Sequence, residues 1–450
     1  MSNTPNAGLA PRNVDLIVHA KWILPIVPKE RIYQNCGLVV DEGKIIGIFP
    51  DQEISKSYKA ETVRKLDQHV LMPGLINTHG HAAMSLLRGF ADDLALMDWL
   101  ENHIWPAETR WADSAFVRDG TELAIAEMIQ TGTTCFSDMY FFPNAVAQTS
   151  LDLGIRAQVC FPVLDFQTAW AENADDYIHK GLALHDDFRL VDRIQIAFGP
   201  HAPYTVSDKP LSRIATLAEE LQAPIQIHLH ETQFEVEDAI LNTGQRPIQR
   251  LSELGLLGPT TQCVHMTQLS QADIELTQNH GASVIHCPES NLKLASGLCP
   301  VQSLLDKNIN VALGTDGAAS NNDLDLFGEL QTAALVGKLS ANNASAIDAY
   351  TALELATING AKALGLDDQI GSLEVGKDAD FIAVSIENIH HFPLYNIASQ
   401  LVYTNSGNQV SDVWVAGECL YKDKQHTSLD IQTVKNKTEN WQNKISEKTS

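Results

Sequence analysis

No stretch of the chain approaches the roughly 20 consecutive apolar residues that a membrane span requires. Its longest apolar runs, such as "LVVDEGKIIGIF", are broken by charge every few positions. Positive charge is also scarce, with 31 Lys plus Arg against 56 Asp plus Glu and a net charge of −25. That balance argues against nucleic-acid phosphates and anionic membranes as partners, but not against a neutral nucleoside in a pocket. The seven cysteines (Cys36, Cys135, Cys160, Cys263, Cys287, Cys299 and Cys419) form no CxxC pair. Scattered through apolar runs, they read as free buried thiols in a reducing compartment. The first residues, "MSNTPNAGLAPRNVD", show no basic segment leading into an apolar core, so no secretory signal is expected. These absences together point to the cytoplasm. What remains is 450 residues, 44% hydrophobic and 19% charged, the make-up of a well-packed soluble enzyme. A chain of that length calls for one large domain and a smaller one.

The first 70 residues read as short strands, "VDLIVHAKWILPI", "CGLVVDEGKIIGIFP" and "ETVRKLDQHVLMP". From Pro73 the texture changes to β-branched runs alternating with helical patterns, the mark of βα units and a parallel sheet. Strand cores fall at "LINTHGH", "TTCFSDMY", "RAQVCFPV", "IQIAFGPH", "PIQIHLHE", "TQCVHM", "ASVIHC" and "NVALGTD". Eight strands alternating with helices predict a (β/α)₈ TIM barrel over residues 71–367. "SAIDAYTALELATINGAKALGL" carries helical spacing with Gly365 as a stop. Strand texture returns in "GSLEVGKDADFIAVSI" and "VSDVWVAGECLYKD", so residues 1–70 and 368–428 are expected to form a small β-sandwich domain from both chain ends. Residues 429–450 read as a helix or tail.

In such a barrel, catalytic groups sit at the C-terminal ends of the strands. Strand one ends in His79 and His81, which leave a strand on the same side. Strand four ends in His201; strand five in His228, His230 and Glu231; strands six, seven and eight carry His265, His286 and Asp316. One strand-end histidine is usually a structural hydrogen-bonder, but polar groups at so many strand ends converge on a metal site. Imidazoles with a carboxylate suit Zn²⁺, with Fe²⁺ or Mn²⁺ compatible by ligand type. Such a site makes a nucleophilic water available at neutral pH, and Glu231 or Asp316 could move its proton.

"PGLINTHGH", "GPHAPYT", "IHLHET", "SNLKLASG" and "LGTDGAASNN", in that order, resemble the amidohydrolase superfamily and, more narrowly, its 5-methylthioadenosine/S-adenosylhomocysteine deaminase branch. The resemblance implies a single divalent metal, usually zinc, held by His79, His81, His228 and Asp316. It implies that Glu231 protonates the purine ring at N1 during attack at C6, that Asp316 accepts the proton of water, and that His265 polarises or orients the attacking oxygen. His201 resembles a substrate contact, and Glu108 in "WPAETRW" the acid that holds the ribose hydroxyls. His230 is expected to face away as a structural histidine, and His286 and Asn291 receive no role. Strand four, "RIQIAFGPH", lacks the lysine that bridges two metals in binuclear relatives. There is no H-x-E with P-C-x-x-C and no phosphate loop.

One departure bears on the substrate. Relatives that accept S-adenosylhomocysteine carry arginines after strand three; here Phe161 aligns with the first, and "TAWAENADDYIHK" offers no second. Phe161 is therefore expected to contact an apolar methylthio group, with Glu172, Asp175 and Asp176 repelling a carboxylate tail. The expectation is C6 deamination of 5′-methylthioadenosine, with S-adenosylhomocysteine and adenosine slower. The same chemistry on a free base, a pterin or a triazine is the alternative, and a non-catalytic scaffold is the other class. The intact ligand set disfavours the scaffold. A homo-oligomer is a further expectation from the family.

Overall fold

The computed structural model describes residues 10–404 and 406–446. Strands β1 (Arg12–Ile23), β2 (Tyr33–Asp41), β3 (Lys44–Pro50) and β4 (Tyr58–Pro73) precede the barrel. The barrel strands are β5 (Leu75–Asn77), β6 (Thr133–Met139), β7 (Arg156–Val163), β8 (Ile194–Pro200), β9 (Ile225–Leu229), β10 (Thr261–His265), β11 (Ser283–His286) and β12 (Val311–Leu313). Strands β13 (Phe381–Ser385), β14 (Val410–Val415), β15 (Glu418–Lys422) and β16 (Gln425–His426) follow.

The two chain ends build one sheet in the order β16-β15-β14-β13-β4-β1-β2-β3, with β13 antiparallel to β4. Leu16, Val18, Leu38, Val40, Phe381 and Trp414 share its core. On the opposite face Ile17 and Val39 pack with Ile54 of the short helix Asp51–Ser57. β7 is tied to this sheet's connecting loop by Arg156, whose buried guanidinium donates to Asp378 at 2.9 Å and Asp380 at 3.1 Å.

Strands β5 to β12 run parallel in sequence order, each buried on both faces as a barrel stave must be. The ends of the barrel meet where Thr78 N–H donates to Leu313 O at 3.0 Å and Asp316 N–H to His79 O at 3.1 Å. Gly314 permits that approach, because a Cβ there would lie 2.8 Å from the backbone of His79. The helical run after β12 divides into Ala349–Leu355 and Ile358–Leu364, since Ala356 O accepts from Ile76 N–H at 2.9 Å. Gly365, at φ 70°, ends the second helix. The final segment is a helix, Ile431–Ser446, docked by Trp441 edge-on against Phe116 at 5.3 Å.

Candidate active site

At the C-terminal mouth of the barrel, His79 and His81 follow β5, His228 lies in β9, His265 ends β10 and Asp316 follows β12. The Nε2 atoms of His79 and His228 are 3.2 Å apart. Asp316 Oδ1 lies 3.5 Å from His79 Nε2 and 3.2 Å from His81 Nε2. His265 brings a third imidazole nitrogen within 4.8 Å of those of His79 and His228.

The opposite ring nitrogens are all engaged. Nδ1 donates to Gln226 Oε1 from His79, to Met139 O from His81 and to His201 O from His228, each at 2.7 Å. His265 Nδ1 donates to Asn291 Oδ1 at 2.8 Å. Carbonyl oxygens can only accept, so Nδ1 carries the hydrogen and Nε2 is left with its lone pair toward the centre. Two overlapping groups, His79 with His228 and His265 and His79 with His81 and Asp316, bring ligand atoms close enough to hold a divalent cation. His81 must give up a proton to bind a cation, since burial disfavours charge on it but Asp316 outweighs burial and pushes the ring up to about 9. Burial holds His79, His228 and His265 below the usual histidine value.

The two carboxyl groups diverge. Burial raises Glu231 to about 8, helped by the charge of Asp316 and opposed by a hydrogen bond from Ser296. Burial acts in the same sense on Asp316, but His79 and His81 overcome it and hold that carboxyl well below the usual range. The two carboxyl groups are thus held on opposite sides of the usual carboxylate range, Glu231 above it and Asp316 below.

Asp316, Glu231, His81, His228, His265 and His201 open into a cavity of about 250 Å³. Half-buried Glu108 also faces it, raised to about 7 by burial with Tyr140 opposing. Much of its remaining lining is apolar: Leu96, Trp99, Leu100, Ile104 and Trp105 come from the segment after β5, and Leu164 and Phe166 from just beyond β7. No Lys or Arg lines it among the described residues. His201 offers its ring to the cavity while Nδ1 meets Thr205 Oγ1 at 3.1 Å.

Phe161 requires correction. Cys160 packs inside the barrel with Met139 and Ala197, and Pro162 lines the cavity, so strand alternation sends Phe161 outward. Its ring lies 4.8 Å from that of Phe198, tilted by 59°, and under Gly181, where a Cβ would come within 2.2 Å of it. The acidic residues are not in the lining either: Asp175 pairs with Arg213 and Asp176 with Lys180. Tyr140, Leu164, Phe166 and the Leu96–Trp105 wall were not singled out from sequence. Parity along "CFPVLDF" from an inward Cys160 picks Pro162, Leu164 and Phe166.

The model of the amidohydrolase family matches residues 70–420. The chain belongs to the amidohydrolase family. It is 58% identical over 431 residues to a 5-methylthioadenosine/S-adenosylhomocysteine deaminase of Saccharophagus degradans, covering 96% of this chain and 97% of that one. A protein of the same description from Teredinibacter turnerae is 55% identical over 435 residues, covering 97% and 98%. The crystal structure of an adenosine deaminase from Xanthomonas campestris with bound zinc superimposes with a TM-score of 0.96 at 44% identity, covering 97% of this chain and all of that one, 100%. The amidohydrolase family is metal-dependent, and the cluster of imidazoles with Asp316 could hold such an ion; none of the described helices is long and apolar enough to cross a membrane.

Proposed function

We propose that the protein hydrolyses the C6 amino group of 5′-methylthioadenosine, giving the inosine product and ammonia, and turns over S-adenosylhomocysteine and adenosine more slowly. The observation that carries this reading is the lining of the cavity, which joins the acid–base cluster and Glu108 to a largely apolar set of side chains with no Lys or Arg among the described residues. The names of the 58% and 55% identical relatives support the same chemistry.

His79, His81, His228 and Asp316 would hold one divalent metal, zinc by ligand type. When bound, such an ion supplies a nucleophilic water at neutral pH. Glu231, protonated near neutrality, gives its proton to ring N1, which draws electrons from C6. Asp316 takes a proton from the attacking water, and His265 orients that oxygen through Nε2. A C6–O bond forms, the C6–N bond breaks, and the amino group leaves as ammonia with the proton relayed through the carboxyl groups. Glu108 meets the ribose hydroxyls and His201 contacts the purine.

The tail of S-adenosylhomocysteine carries a carboxylate, and a charge-assisted hydrogen bond to it is worth ~1.5–3 kcal/mol. No cationic partner for it lines the cavity among the described residues. Leu96, Trp99 and Phe166 suit a methylthio group instead. Ammonia release by zinc-loaded protein from 5′-methylthioadenosine, S-adenosylhomocysteine, adenosine and guanine tests the reading. The highest kcat/KM is expected for the methylthio compound. Equal values for S-adenosylhomocysteine would overturn the account of the tail, and activity on guanine alone would overturn the substrate class. Seven free cysteines support a reducing, cytoplasmic setting, and light scattering would test for a homo-oligomer.

A further inference from the structure

One short segment touches three of the groups just described, although it carries none of them. After β11 the chain turns through the helix Pro288–Lys293 and passes Ser296. Ser290 Oγ donates to Asp316 Oδ2 at 2.6 Å, Asn291 Oδ1 accepts from His265 Nδ1 at 2.8 Å, and Ser296 Oγ donates to Glu231 Oε1 at 3.2 Å. All three side chains belong to buried residues. The segment is held in turn: Ser296 N–H donates to Asn291 O at 2.9 Å, and Gln268 Nε2 to Ser296 O at 2.7 Å.

Each bond selects an atom. Ser290 and Ser320 both occupy Asp316 Oδ2, which leaves Oδ1 facing His79 and His81. Ser296 occupies Glu231 Oε1, leaving Oε2, 3.7 Å from His265 Nε2, to carry the mobile proton. Asn291 keeps the hydrogen of His265 on Nδ1, so Nε2 presents a lone pair to the cavity. The Asn291 amide nitrogen is buried and has no hydrogen-bond partner among the described residues. A residue needed only for packing has no use for an amide there, so the oxygen is what the site employs.

We propose that the turn Pro288–Ser296 is the positioning element of this site, with Asn291 setting the tautomer of His265. The kinetic part rests on the deaminase reading; the spectroscopic part does not. Full-length zinc-loaded wild type, Asn291→Leu, Asn291→Asp and Ser296→Ala would be compared, with ¹⁵N-histidine NMR assigned through a His265→Gln control. Wild type should show His265 protonated at Nδ1 and bare at Nε2, and Asn291→Leu should lose that bias while zinc affinity stays put. Supporting partners of site histidines are typically worth ~10–100-fold. Asn291→Leu and Ser296→Ala are therefore expected to lower kcat by that factor with KM changed by less than about twofold. Asn291→Asp, which keeps the acceptor, should restore most of the activity lost in Asn291→Leu. An unchanged His265 spectrum in Asn291→Leu, or an aspartate variant as impaired as the leucine variant, would overturn the proposal. If wild type releases no ammonia from any nucleoside, the deaminase reading fails and the tautomer measurement alone decides this one.

Discussion

Gln226 lies two residues before His228 on β9 and faces the same interior. Its Oε1 accepts from His79 Nδ1 at 2.7 Å, while Nε2 donates to Thr78 O at 3.0 Å, Ser137 Oγ at 3.1 Å and Gln262 Oε1 at 2.6 Å. Replacing it by leucine keeps much of the bulk but removes every one of these contacts. Two effects separate. His79 loses the acceptor that fixes its tautomer and ring angle, a loss that typically costs 10–100-fold in metal affinity, roughly 1.4–2.7 kcal/mol. The Thr78 carbonyl and Gln262 amide oxygen also lose a donor in a buried place, at ~1–3 kcal/mol each, and that cost falls on the metal-free fold.

Thermal melting with and without zinc, together with chelator competition, resolves the two. At a free metal concentration 100 times the wild-type Kd, binding stabilises the fold by ~2.7 kcal/mol, shrinking to roughly 1.4 or 0.4 kcal/mol if Kd weakens 10- or 100-fold. Gln262→Leu is the control, because Gln262 bonds Gln226 and Ala363 O but is not the partner of His79. It should lower the metal-free Tm with zinc affinity nearly unchanged. Equal zinc affinities for Gln226→Leu and Gln262→Leu would refute the idea that the barrel's interior amides tune the metal site through His79.

Two further outcomes follow from the same structure. Arg156→Met should destabilise the fold by ~3–5 kcal/mol in denaturant unfolding, because it leaves Asp380, 3% exposed, as an unpaired buried charge; the double variant with Asp380→Asn should recover part of that. Glu108, raised to about 7, binds hydroxyls best as a carboxylate, so KM for the nucleoside should fall as pH rises through 7. Glu108→Gln should flatten that dependence and raise KM roughly tenfold or more, from the lost charge-assisted bonds. The same ionisation works against the fold: with the folded value above the unfolded one, the neutral form's stability is full below the usual glutamate range and is lost as pH rises through about 7.

The eight strands and their polar ends were legible because parallel barrel strands are short β-branched runs whose last residues carry the chemistry. The cavity wall was less legible. Phe161 aligned with a substrate contact by position, yet side-chain direction follows parity from Cys160, and parity turns it under Gly181. The Leu96–Trp105 wall has no strand periodicity to mark it: it passes from a short helix through a π turn, Leu100–Ile104, into Trp105–Trp111. Only the fold brings it over the mouth. The bonds from Ser290, Asn291 and Ser296 were hidden for another reason, since a hydroxyl or amide near a motif does not announce which atom it meets.

His230 shows how a correct expectation can rest on the wrong geometry. Regular alternation would return it to the face of His228, two residues earlier, and send Glu231 away from the cavity. The structure does the opposite because β9 ends at Leu229 and His230 takes the left-handed region at φ 54°. Glu235 stabilises that turn by accepting from the backbone N–H groups of His230 and Glu231 at 2.9 and 2.7 Å. His230 swings outward, where Nδ1 meets Gln268 O at 3.0 Å and Nε2 accepts from Ile248 N–H at 3.1 Å. One reversed backbone angle therefore places a structural histidine outside and the Glu231 carboxyl inside. β10 and β12 use the same device, with His265 at φ 75° and Asp316 at φ 61°. Residues other than glycine adopt such angles at a cost, and here the cost falls at three strand ends that border the cavity.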